Sequence, residues 1–183
     1  MISSALASRD TPSSAAFASG CFFAYLGGAP YVGDKIFGLS STHVGALFAL
    51  TAIGYAAGNF LAGRFSVRAG MNTMILLGTV VTSFGLALLA LLTLAGLSGP
   101  TVFFSLTIFM GLGNGICLPN ANAGMLSVRP ELAGTASGLG GAILIGGGAG
   151  LAAIAGILMH PGATELPLIL LMLASSIASI IAI

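Results

Sequence analysis

Residues 71–96, MNTMILLGTVVTSFGLALLALLTLAG, run twenty-six positions without a charged side chain and close on an Ala-Gly pair. At about 1.5 Å per residue, such a helix is longer than the roughly 20 residues needed to cross a hydrocarbon core of about 30 Å. Working outward, GRFSVRAG at 63–70 precedes the run with two arginines, and LSGP at 97–100 separates it from a second long apolar run. The same alternation continues to both ends and divides the chain into six lengths, at about 13–32, 44–63, 71–96, 101–126, 134–159 and 165–183. Residues 1–12 are set apart as a short tail; with one Arg, one Asp and no basic cluster before an apolar core, they do not read as a signal peptide.

Composition points the same way. Of 183 residues 57% are hydrophobic and 5% charged, whereas soluble domains carry about a quarter charged residues. No water-exposed surface can be built from nine charges, so a soluble enzyme, a secreted disulfide scaffold and a nucleic-acid binder with its basic face are excluded. The expected class is an all-α polytopic membrane protein in contact with the lipid bilayer. A β-barrel is disfavoured because the apolar stretches are continuous rather than alternating. The charged residues Arg9, Asp10, Asp34, Lys35, Arg64, Arg68, Arg129, Glu131 and Glu165 fall in tails, loops or span ends. Arg9, Arg64, Arg68 and Arg129 lie on one side and Lys35 on the other, which predicts both termini in the cytoplasm. The sixth span stops at Ile183 within an apolar run without a basic anchor, so the expectation is a chain cut short.

Within the spans, Gly134, Gly138, Ala142, Gly146 and Gly150 recur every fourth residue, as do Gly54, Gly58 and Ala62, giving smooth faces that another helix can approach closely. Simple packing or sliding during a transport cycle would each use such faces. Polar groups in lipid must find partners or line a wet cavity. Thr51, Tyr55 and Asn59 share one face at spacing four, and counting from the span ends places Tyr25, Tyr55 and Asn114 near the midplane. Tyr25, Tyr55, Asn59 and Asn114 are therefore the candidate substrate contacts, with interhelical hydrogen bonding as the plainer reading. Cys21 and Cys117 read as small buried thiols, and His43 and His160 as solvated loop residues. The stretch Gly134, Thr135, Ala136, Ser137, Gly138 lacks the G-x-S-G spacing of an intramembrane serine protease. Neither enzymatic activity, a cofactor nor a metal is expected.

GRFSVRAG at 63–70 resembles the G-x-x-x-D-R-x-G loop of the major facilitator superfamily in the degenerate form that follows the eighth of its twelve helices, with Val67 at the acidic position. AYLGGAPYV (24–32), FGLSSTHVGALFALTA (37–52), the Pro119, Asn120, Ala121 triplet and AGTASGLGG (133–141) are similar, in order and spacing, to the bicyclomycin-resistance (Bcr/CflA) family of drug efflux antiporters. The resemblance covers about residues 13–160 and implies helices seven to twelve of that fold. It further implies proton-driven efflux of small hydrophobic compounds across the bacterial inner membrane, with an N-terminal six-helix half as partner. Gly63, Arg68 and Gly70 of the loop, with Gly134, Gly138 and Gly146, would serve gating or packing. Proton coupling needs an ionisable group at membrane depth, and no acid or His stands inside a span here, so the coupling carboxylate is expected in the other half. Two alternatives remain: a stand-alone half that acts as a dimer, and a membrane scaffold without transport.

Overall fold

The computed structural model describes residues 2–127 and 133–183, so Arg129 and Glu131 lie outside the described residues. Six helices follow in chain order: α1 Ile2–Tyr31, α2 Ser41–Ala69, α3 Met71–Leu94, α4 Pro100–Ser127, α5 Ala133–Leu158 and α6 Leu166–Ile181. A π-helical turn, Val32–Ile36, prolongs α1, closed by Phe37 N–H donating to Val32 O at 2.9 Å. No strand occurs among the described residues. Five helices are long and apolar enough to cross a membrane, and α6 is equally apolar at sixteen residues, so the chain is a multi-pass membrane protein by length and hydropathy.

Helix ends run past the apolar stretches because hydropathy marks where lipid ends, not where a helix stops. Residues 2–12, set apart as a tail from sequence, belong to α1. Arg64 and Arg68 lie in the last turns of α2, and Asp34 and Lys35 in the π turn. What stops α2 is Gly70, the single residue between α2 and α3. Its φ of 84° is disfavoured for side chains with a Cβ, and its N–H closes on Ser66 O at 2.9 Å. That gives the last glycine of GRFSVRAG a backbone reason.

In lipid, helices gain little from burying apolar surface against each other, because the alternative solvent is equally apolar; close packing and hydrogen bonds decide who pairs with whom. Here α4 packs extensively against α2 and α3, while α1 packs against α5 and α6; α1 meets α4, and α3 meets α6. Replacing each helix by the one three positions away maps this set of pairs onto itself. The pairings of the first three helices are thus repeated by the last three, and each helix packs mainly against helices of the other set.

Three glycines seat α4. A Cβ on Gly111 or Gly115 would strike the backbone of α2 at Thr51 and Tyr55, and one on Gly113 would strike α3 at Gly78 and Thr82. Gly54 and Gly58 answer from α2, where added Cβ atoms would meet the Ile108 and Leu112 carbonyls. Polar seams do the rest: Ser83 and Ser176 hydroxyls bond at 2.6 Å between α3 and α6, and Ser175 donates to Phe17 O of α1 at 2.7 Å. Ser98, after α3, donates to the buried Glu165 carboxylate at the start of α6.

Candidate functional site

Between α1 and α2 lies a cavity of about 340 Å³, within the size range of small-molecule pockets. Phe22, Tyr25 and Leu26 of α1, spaced i, i+3, i+4, face Phe48, Thr51 and Tyr55 of α2, spaced i, i+3, i+7. The Phe22 and Tyr55 rings stand with centroids 6.4 Å apart and planes inclined by 25°, and the Tyr25 and Phe48 centroids are 4.7 Å apart. Among the described residues no charged side chain lines the cavity. It offers aromatic faces and few polar atoms, a surface suited to flat, lipophilic molecules.

The four residues expected from sequence to contact a substrate are placed differently. Tyr55 lines the cavity, is 37% exposed, and has no hydrogen-bond partner for its hydroxyl among the described residues. Tyr25 borders the cavity with its ring, but its hydroxyl points into the bundle: Thr51 Oγ1 donates to it at 3.2 Å and lies 2.9 Å from Thr107 Oγ1, which donates to Phe104 O at 2.8 Å. That chain of hydroxyls ties α1, α2 and α4 together at a fully buried level. Asn59 spends its amide on its own helix, donating to Tyr55 O at 2.9 Å. Asn114 does not line the cavity; it is buried, 1% exposed, and its Nδ2 has no partner among the described residues. At i+7 from Thr107 it shares that residue's face of α4, two turns further along.

Phe22, Leu26, Phe48 and Thr107 went unremarked in the sequence. Their signal was available as aromatic and polar residues at spacing three and four, but apolar and aromatic residues stand on the other faces of the same helices too, as with the exposed Phe17, Ile53 and Phe60.

The glycine positions also divide. Among the described residues nothing lies within 4 Å of a Cβ built at Gly134, Gly138, Gly146, Gly150 or Gly63, so no described helix contacts the glycines of the α5 stripe. The packed side of α5 is the other one: Gly148 seats the Phe23 ring, Ala152 meets Gly27, and Leu144 joins the cluster around Cys117 and Ala18. At 100° per residue, positions 146 and 150 stand roughly opposite 148 and 152, so the face singled out from sequence is the uncovered face. Arg68 is exposed in the last turn of α2. Cys21 and Cys117 are both free and buried. His43 Nδ1 lies 2.7 Å from Ser40 Oγ at the start of α2, and His160 Nδ1 lies 3.1 Å from Pro161 O.

Among curated proteins the chain is similar to YdgK of Bacillus subtilis (strain 168), described as an uncharacterized MFS-type transporter, at 28% identity over 125 residues. The match takes in 67% of this chain and 30% of that protein, so the chain spans under a third of the relative's length. No known family profile matches the chain, and no solved structure matches it. The likeness is a distant homology to a major-facilitator-type transporter, in accord with helical membrane segments of one half of that fold.

Proposed function

We propose that this distant relative of a major-facilitator-type transporter is the C-terminal six-helix half of an efflux antiporter of the bacterial inner membrane, close in kind to the Bcr/CflA family. Its substrate would be a small hydrophobic compound held between α1 and α2, and its coupling ion the proton. Both termini would lie in the cytoplasm, following the arginines.

The observation that supports this reading best is the uncovered state of α2 and α5. Only 22% and 11% of their apolar windows are buried, against 44% to 56% for the other three long helices. On α5 the uncovered side carries the glycine ladder among the exposed Leu139, Ile143 and Ile157, a surface that a second bundle can pack against, with knobs and close approaches side by side. A half with two such faces is one wall of a cavity and one member of a rocking pair. The same face could receive a second copy of this chain.

Coupling requires a group that titrates at membrane depth near neutral pH, and among the described residues no carboxylate or imidazole lines the α1/α2 cavity. The partner half would supply it. A cysteine at Gly146 tests the arrangement: it should react freely with a membrane-permeant maleimide in the chain alone and become protected when the N-terminal half of a close relative is co-expressed, with efflux appearing together with protection. Labelling unchanged by the partner, or protonophore-sensitive efflux from the 183-residue chain by itself, would overturn the reading. Protection with the chain alone, at raised concentration, would identify the dimer instead.

A further inference from the structure

The α1/α2 cavity has a neighbour on the same two helices. A second cavity of about 600 Å³ follows it towards the α1–α2 connection, bounded by Tyr31, Asp34 and Lys35 from α1 and its π turn and by Ser41 and Val44 from α2. The inner cavity takes its α1 walls from residues 22–26 and its α2 walls from residues 48–55; the outer takes them from 27–35 and 41–45. The two cavities therefore follow one another along the same pair of helices, in the order expected of two tiers of one groove. The outer rim is held in place by Gly33, whose missing side chain lets the π turn sit against Val44 and Phe104. Single π turns inside helices are frequent at functional sites.

The chemistry changes between tiers. The inner one is aromatic and uncharged. The outer one holds one carboxylate and one ammonium, Asp34 and Lys35, paired at 2.9 Å and both more than half exposed, beside the hydroxyl-bearing Tyr31 and Ser41. A ligand group with a single charge would meet one opposite and one like charge at nearly the same distance, and the two effects largely cancel. A dipolar group laid antiparallel to the Asp34–Lys35 pair meets an opposite charge at each end.

We propose that the groove is a two-tier site for amphiphiles carrying an apolar, ring-bearing body and a zwitterionic head, the body in the aromatic tier and the head exchanging partners with Asp34 and Lys35. The inner tier rests on the functional reading above; the outer tier adds the head-group chemistry. Nine residues separate Tyr25 from Asp34, so body and head are about 13 Å apart. A transported amphiphile and a membrane phospholipid with an ethanolamine head share this chemistry.

The test uses the chain in nanodiscs of phosphatidylglycerol and three probes with one dansyl-bearing tail: a phosphocholine head, a trimethylammonium head and a phosphate head. Two exposed charge contacts should make the phosphocholine probe bind about tenfold tighter than either singly charged one. Asp34→Asn together with Lys35→Gln should erase that preference, and Asp34→Lys together with Lys35→Asp should keep it; both residues are exposed, so the fold should be indifferent. Equal binding of the three heads to the unaltered chain, or a preference that survives the neutral pair, would overturn the proposal. Phe48→Ala should weaken all three probes alike. If it changes none while the head preference stands, the inner-tier reading fails and the outer tier remains. In phosphatidylethanolamine discs, loss of phosphocholine-probe binding would name the membrane lipid as the natural occupant, and undiminished binding a transported amphiphile.

Discussion

Adding one methyl group to each of two glycines should have opposite effects. At Gly115 on α4 a Cβ would fall on Tyr55 O, with Asn59 N and Gly58 Cα each 3.0 Å away. These neighbours are backbone atoms of a packed helix and cannot rotate aside, so α2 and α4 must separate along their length. Overpacking of this kind costs about 1 to 3 kcal/mol, and the upper end applies where backbone meets backbone. Alanine's better helix propensity returns about 1 kcal/mol, leaving Gly115→Ala destabilised by about 1 to 2 kcal/mol. At Gly146 nothing lies within 4 Å of the added atom, so Gly146→Ala retains the propensity gain of up to about 1 kcal/mol. The two variants should differ by about 2 to 3 kcal/mol, or about 5 to 10 °C in midpoint for a chain of this size. Cys21 and Cys117 are buried and free, so a dye that fluoresces on reaction with thiols reports unfolding in detergent without any added label. Equal midpoints, or a lower one for Gly146→Ala, would refute the assignment of the close helix crossing to α4 and of the uncovered face to α5.

Thr51→Val keeps the side-chain shape and removes the hydroxyl that joins Tyr25 to Thr107; it should cost about 1 to 2 kcal/mol, and a cycle with Thr107→Val should show non-additivity in the same thermal assay. Asn114→Leu replaces a buried amide whose Nδ2 has no partner among the described residues, so the midpoint should hold or rise, and a fall of several degrees would mean that the amide is engaged. Single cysteines at Ser66 and Thr42 should label from opposite sides of the membrane, since α2 carries both near its two ends; labelling from one side would contradict a crossing by α2.

The sequence by itself was enough for the class and the six helices. Runs such as 71–96 are too long and too apolar for anything else, whereas the continuation of α2 through 63–69 to a stop at Gly70 is seen only in the structure. It also singled out Tyr55, which lines the α1/α2 cavity, since polar groups inside an apolar run are conspicuous wherever they point. Which faces touch was decided by tertiary structure. In water an apolar stripe identifies the inside of a helix, but in lipid both faces are apolar and the stripe loses that meaning. So the regular glycine ladder of α5 meets no helix among the described residues, while the irregular Gly111, Gly113 and Gly115 of α4 hold close crossings with α2 and α3. Tyr25 borders the α1/α2 cavity with its ring while Thr51 engages its hydroxyl, and Asn114 is buried away from that cavity, a division that no spacing in the sequence encodes. The matching pairings of the first and last three helices leave no repeat visible in the sequence, because close packing constrains the size of residues at crossings rather than their identity.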